Sequence, residues 1–237
     1  MAARIKVAPW APDVEPLVRE LLEHGIPADA TDIYEGRNRV VRLCREGREI
    51  NVKEFKIPNI VNRVAYTTVR PSKAARAYEY ALRLRNLGFN TPEPLAYAER
   101  RTGPLLGLSY FVSQQLDGFR DMRVIDEADD TAMLADSLGA LMARMHDSGI
   151  WMKDFSPGNV LRRRTGRKGL YEFFLVDINR MEFGVTSHSR LMDNFGRITG
   201  DPAFLRILVR AYARHSGRPL GEVEAEALAA RRRYHKI

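Results

Sequence analysis

The segment MHDSGIWMKDFSPGNVL, residues 145–161, restricts what this chain can fold into more than any other. Ahead of it, Leu134, Leu138, Leu141 and Met145 recur at helical spacing between Thr131 and Ser148, and Gly149 marks the helix end. Ile150-Trp151-Met152 has room only for a short strand. Ser156-Pro157-Gly158 reads as a tight turn, after which Val160-Leu161 resumes strand character. Beyond the basic turn RRRTGRKG, the apolar strand YEFFLV of residues 171–176 delivers Asp177 at its end. Two carboxylates and an amide, Asp154, Asp177 and Asn159, therefore stand at the ends of short neighbouring strands. Read alone, the set admits two accounts: Asx-type bonding in solvated turns, or side chains converging on a metal-bound phosphate.

The first half of the chain is richer in strands. Residues 15–24 have helical spacing and end at Gly25. The stretch IYEGRNRVVRLCREGREINVKEFK then carries two turn signals, at Glu35–Asn38 and Arg45–Arg48, which predict three antiparallel strands. Pro58 to Pro71 reads as an irregular connection. A helix follows over SKAARAYEYALRLRN, with Ser72 as N-cap and Gly88 just past its end. TPEPLAYAER and LSYFVSQQL read as two more strands. A helix begins at Asp201-Pro202, and a last one spans roughly 219–234 and ends in Arg231-Arg232-Arg233.

Lys53 lies between Ile50, Val52 and Phe55 in an apolar strand, where an unpaired ammonium would be expensive to bury. Glu79 is the only acidic residue in the 72–87 helix, so a Lys53–Glu79 ion pair is expected. Lys56 is the rival lysine.

His146-x-x-Gly149-Ile150 followed by Asp154-x4-Asn159-Val160-Leu161 resembles the catalytic loop of protein-kinase-like enzymes. More narrowly, Lys153-Asp154-Phe155-Ser156-Pro157-Gly158-Asn159 resembles bacterial lipopolysaccharide kinases, the Kdo kinase-like group. The stretch VKEFKIPNIVNRVAYTTVRPSKAARAYEYALRLRNLGFNTPEPLAY is similar to the small-lobe core of that group, so the resemblance covers roughly residues 30–215. It implies an α+β, two-lobed protein-kinase-like fold. The small lobe, an antiparallel sheet with one long helix, would span residues 1–116, and the helical lobe 117–237, with ATP between them and its adenine near Gln114–Gly118. It further implies ATP and Mg²⁺ as cofactors, Asp154 as catalytic base, and Asn159 and Asp177 as Mg²⁺ ligands. Lys53, with Glu79 behind it, would contact the ATP phosphates, and Gly36 and Asn38 would lie in the phosphate-covering turn.

Several positions depart from the kinase pattern. Gly36-Arg37-Asn38-Arg39 is not a G-x-G-x-x-G loop, Met152 stands where many kinases have His, and Asp177-Ile178-Asn179 replaces Asp-Phe-Gly. No Ala-Pro-Glu follows, which argues against regulated protein substrates. The implied reaction is phosphorylation of a sugar hydroxyl in the lipopolysaccharide inner core, Kdo or heptose. A small-molecule phosphotransferase, an atypical protein kinase and a catalytically weak nucleotide-binding scaffold remain alternatives.

Charge bears on partners. The 237 residues carry a formal net charge of +8, which favours anionic partners without choosing among them. ATP and an anionic glycolipid or sugar are expected, with peripheral contact to a bacterial inner membrane as an option. No DNA- or RNA-reading motif is present, so no nucleic acid partner is expected. One cysteine, Cys44, makes no internal disulfide, and no apolar run approaches the ~20 residues of a membrane span, so a cytoplasmic protein is expected. Arg162–Arg164 with Arg167-Lys168 reads as a solvated hairpin tip, with binding of an anionic acceptor as the alternative, and Arg231–Arg233 as a solvated helix end, with contact to an anionic membrane as the alternative. His146 reads as a packing histidine. Asn194 and Arg197 are explained as well by helix packing or capping as by function.

Overall fold

A computed structural model describes residues 2–36, 38–57, 71–102, 105–126, 129–166 and 170–235. Arg37, most of the 58–71 connection and Arg167-Lys168 lie outside them. The chain forms two compact units, Met1–Asp117 and Gly118–Ile237.

The first unit is built on a six-stranded antiparallel sheet. Its strands are β1 (Ala2–Val7), β2 (Thr31–Glu35), β3 (Asn38–Arg45), β4 (Arg48–Phe55), β5 (Pro94–Thr102) and β6 (Leu105–Gln114), in the order β1-β5-β6-β4-β3-β2. The three strands expected over residues 31–55 are β2 to β4. Glu46 and Gly47 make the two-residue β3–β4 turn, both at positive φ (51° and 76°), as the primed hairpin turns that suit strand twist demand. Helix α1 (Glu15–Glu23) buries Leu17, Val18, Leu21 and Leu22. Helix α2 (Lys73–Asn86) starts where Ser72 Oγ accepts from Ala75 N at 3.0 Å. It ends in a Schellman turn, with Phe89 N donating to Leu84 O and Gly88 at φ 76°. Strand β1 has no counterpart in the sequence reading. It pairs across a long loop with β5, and no local pattern reports such a partner.

The second unit is mostly helical. Helix α3 (Thr131–Asp147) is capped by Asp130, whose Oδ1 accepts from Met133 N at 3.0 Å. Its buried face is Leu134, Leu138, Met142 and Met145, so Met142 replaces the expected Leu141. Gly139 lets α5 (Pro202–Ser216) cross closely: a Cβ there would lie 2.8 Å from Ala211 Cβ. A short antiparallel group joins β7 (Arg120–Asp121), β9 (Val160–Arg164) and β10 (Tyr171–Leu175). A second pairs β8 (Trp151–Met152) with β11 (Met181–Glu182). Helix α4 (His188–Met192) and a 3-10 turn (Asp193–Gly196) precede α5, and α6 (Leu220–His235) follows it. Among the described residues no helix is long and apolar enough to cross a membrane.

Arg162 does not belong to a solvated hairpin tip. It is 2% exposed, pairs with Asp129, and donates to the backbone carbonyls of Asp121 and Val124. Residue alternation along β9 turns it inward, with Val160 and away from Arg163, which pairs with Glu172 and covers the Phe119 ring. Arg231 and Arg233 are likewise bonded rather than merely solvated, to Thr199 O and Asp193 Oδ1.

Candidate active site

Asp154 is presented by a turn with three restraints. Met152 of β8 is held opposite Met181. Phe155, 1% exposed, anchors the far side in the core, and Ser156 N donates to Asp154 O at 2.8 Å. Asn159 closes the loop by donating from Nδ2 to the same carbonyl at 2.8 Å. Its own carbonyl accepts from Val176 N at 3.0 Å, which sets Asn159 beside the residue preceding Asp177. The three polar residues singled out from sequence are thus joined through backbone atoms.

Asp177 sits in the left-handed region, at φ 55° and ψ 41°. Such a conformation is uncommon for a non-glycine residue and is tolerated best by Asp and Asn. It turns the chain out of β10 into the 3-10 turn Ile178–Arg180, and Asn179 Nδ2 donates to Asp177 Oδ1 at 2.5 Å.

Both Asp154 oxygens are engaged by arginines. Arg197 Nη1 donates to Oδ1 at 2.9 Å, and Arg180 Nη1 lies 3.1 Å from Oδ2. Sequence reasoning missed Arg180 altogether and left Arg197 open between function and helix packing or capping. Arginines are frequent in this chain, and nothing local separates one that reaches a carboxylate from one that reaches solvent.

A second polar chain supports the turn from below. Asn194 Nδ2 donates to Met152 O at 2.7 Å, so its Oδ1 must accept from His146 Nε2 (3.2 Å). His146 Nδ1 then accepts from the Tyr212 hydroxyl at 2.9 Å. Burial pushes the imidazole down to about 4, against the pull of its bond to Asn194, and pushes the Tyr212 hydroxyl up to about 12. His146 is therefore neutral and structural, as its place at the end of an apolar helix suggested. Asn194 is the link that carries this rigidity to the Asp154 turn.

The first unit holds the remaining candidates. Register places Val40, Lys53, Phe111, Tyr97 and Lys6 in one row across β3, β4, β6, β5 and β1, hence on one face of the sheet. Asn38, opposite Phe55, shares that face. Helix α2 lies over it, since the Tyr78 and Tyr97 rings stand 5.5 Å apart.

The expected Lys53–Glu79 ion pair is not formed. Glu79 instead accepts from Lys6 Nζ at 2.7 Å, and the same ammonium lies 5.3 Å from the Tyr78 ring centroid. The reason is placement. Tyr78 seats α2 on β5, which turns Glu79 toward β1, three strands and about 14 Å from the Lys53 strand. Lys53 Nζ lies 5.4 Å from the Phe55 ring centroid. Gly36 N donates to Asn38 O at 3.2 Å, and Asn38 Oδ1 is buried with no partner among the described residues. The Gly36 amide is thus committed to the hairpin rather than offered to a phosphate.

Among the described residues no group of three or more His, Cys, Asp or Glu could cage a metal. The Asp177 carboxylate and the Asn159 amide oxygen suit a hard cation that takes most of its ligands from phosphate and water. Mg²⁺ is such a cation.

Residues 46–197 match the profile of the Lipopolysaccharide kinase (Kdo/WaaP) family. No curated protein matches the sequence. Among solved structures, the fold is similar to WaaP in complex with acyl carrier protein, with TM-score 0.65, 18% identity and 98% of each chain covered. It is also similar to the Rio2 kinase–ADP/Mg²⁺–phosphoaspartate complex from Chaetomium thermophilum. There the TM-score is 0.51 and the identity 16%, over 93% of this chain and 75% of that one. At such identities the likeness is one of fold, and the fold is protein-kinase-like.

Proposed function

The chain belongs to the lipopolysaccharide kinase (Kdo/WaaP) family and is an ATP-dependent kinase, and on that premise we propose that Asp154 is the base that readies a core-sugar hydroxyl for phosphoryl transfer. The observation that carries this reading is the closed backbone circuit from Asp154 through Asn159 to Val176 and Asp177. It ties the Asp154–Asn159 loop to the residue preceding Asp177, which supports reading one carboxylate for the acceptor and a carboxylate–amide pair for a cation. Bound ATP would supply the γ-phosphoryl group, and Mg²⁺ would neutralise its developing charge.

The chain's own residues do the rest. Asp154 takes the proton from the acceptor hydroxyl as its oxygen bonds to the γ-phosphorus and the bond to the ADP oxygen breaks. Arg180 and Arg197 fix the plane of the carboxylate, so little orientation remains to be lost on the way to the transition state. Asn159 and Asp177 would hold the cation, and the family resemblance assigns Lys53 to the α/β-phosphates. The net charge of +8 supports docking at an anionic bilayer surface where a glycolipid acceptor resides.

The test is phosphate transfer from ATP into core glycolipid, read by mass spectrometry, together with nucleotide affinity by calorimetry. Asp154→Asn should lower turnover by roughly 10²–10⁴-fold and leave nucleotide affinity within a few-fold. Asp177→Ala should lose the Mg²⁺-dependent part of nucleotide affinity. Equal loss of affinity and turnover in Asp154→Asn would remove it from the role of base. Nucleotide binding with no transfer to any acceptor, even in the wild type, would make the protein a scaffold.

A further inference from the structure

Two neighbouring residues of the turn after β10 each hold one of the site's carboxylates. In the 3-10 turn Ile178–Arg180, Asn179 Nδ2 donates to Asp177 Oδ1 at 2.5 Å, and Arg180 Nη1 lies 3.1 Å from Asp154 Oδ2. The turn is anchored on both sides. Val176 N donates to Asn159 O ahead of Asp177, and beyond the turn Met181 pairs with Met152 of β8.

Asn179 does not act as a turn former. Asn is favoured in turns because its side chain bonds to the backbone two residues on. Here the Asp177 carboxylate presents only acceptors, so the amide nitrogen must face it and Oδ1 must point elsewhere. That oxygen is buried, in a residue only 4% exposed, and accepts from nothing among the described residues. A buried acceptor left unmatched carries a desolvation penalty that an apolar side chain of similar shape avoids. The backbone does not call for Asn either: the left-handed position belongs to Asp177, at φ 55°, and Asn179 lies inside the helical turn that follows.

What the side chain does contribute is one bond, to a carboxylate suited to a hard cation. A donor of this kind fixes the orientation in which a ligand meets its metal, and its loss typically lowers metal affinity by about 10–100-fold. We propose that Asn179 is a positioning residue for cation binding: at a cost in stability, it holds the Asp177 carboxylate in the orientation that takes Mg²⁺ together with the nucleotide. The proposal rests on Asp177 being a cation ligand.

The full chain is titrated with Mg²⁺ in the presence of a non-hydrolysable ATP analogue, and the analogue's affinity in EDTA and the urea midpoint are measured alongside. Asn179→Leu, which keeps the shape and removes the donor, should raise the Mg²⁺ concentration for half-maximal nucleotide binding by roughly tenfold or more. Affinity in EDTA should stay within about twofold of wild type, and the urea midpoint should equal or exceed it. Asn179→Ala adds no bulk and should show the same Mg²⁺ shift, so it carries the test if Asn179→Leu does not fold. A lowered urea midpoint with an unchanged Mg²⁺ midpoint assigns the residue to the turn alone and overturns the proposal, as do equal losses of affinity with and without Mg²⁺. The ligand assignment is judged separately. If Asp177→Ala shifts the Mg²⁺ midpoint and neither Asn179 variant does, the positioning role falls and the ligand stands. If Asp177→Ala leaves that midpoint at the wild-type value, the ligand assignment falls, and the positioning role with it.

Discussion

The polar centres of the two units are held in opposite ways. In the second unit, Asp154, Asn159 and Asp177 are tied by hydrogen bonds to backbone atoms within a short span of chain, and a buried Tyr212–His146–Asn194 series stiffens the turn beneath them. In the first unit, Lys53 and Glu79 depend on sheet register and on where a helix lands, and the pair expected from sequence goes to Lys6 instead. Short backbone circuits leave a polar group little choice of partner. A helix laid across a six-stranded sheet leaves a choice at every strand.

The contrast can be tested most severely at Arg162, which the second unit buries against Asp129, whereas the Lys6–Glu79 pair of the first stays about half exposed. Arg162→Ala strands the nearly buried Asp129 carboxylate and two backbone carbonyls, so urea denaturation of the full chain should show a loss of about 3–5 kcal/mol. Replacing both partners by apolar residues (Arg162→Met with Asp129→Leu) should recover most of it, and a small loss in the single variant would mean that the site is wetter than its burial implies.

Acid should weaken the second unit through His146. Its folded pKa, pushed down to about 4 by burial, lies below the ordinary value of 6.5, so the unfolded chain binds a proton that the folded chain refuses. Stability on this account is full above about pH 6.5 and falls as pH drops toward 4, by roughly 3 kcal/mol in all. His146→Gln should flatten that part of the urea-midpoint profile, and an unchanged slope would assign the acid sensitivity to carboxylates.

The first unit offers the sharper functional comparison. Lys53→Ala should reduce turnover roughly a hundredfold or more, and normal turnover there would transfer the role to Lys56. Glu79→Gln should leave turnover near wild type and change stability by at most about 1 kcal/mol, since both members of its pair are about half exposed. A loss in Glu79→Gln that matched Lys53→Ala would show that these two residues do pair during turnover, and the contrast between the units would weaken.

Much of this was legible in the sequence because it is local chemistry. Ser72 and Asp201 each cap the helix their position announced, since a cap needs only a side chain and an amide two or three residues on. The Asp154–Asn159 loop was readable for the same reason. What escaped depends on partners distant in the chain. Arg180 was indistinguishable from other surface arginines, and Arg197 stood open between packing and function, until the turn after β10 and the segment before α5 brought them to Asp154. Within the hairpin cluster Arg162 was misread, because strand alternation, not charge, decides that Arg162 turns inward and Arg163 outward.

The order of residues by itself determined the helices, their caps, the hairpin turns and the loop that joins two carboxylates to an amide, because each is decided within a few residues by dihedral preference and short-range hydrogen bonding. The tertiary structure alone decided which cation meets which anion: Lys6 for Glu79, two arginines for Asp154, Asp129 for Arg162. An ion pair is only as specific as the geometry that brings its members together, and that geometry is set by register and packing over distances that no local pattern encodes.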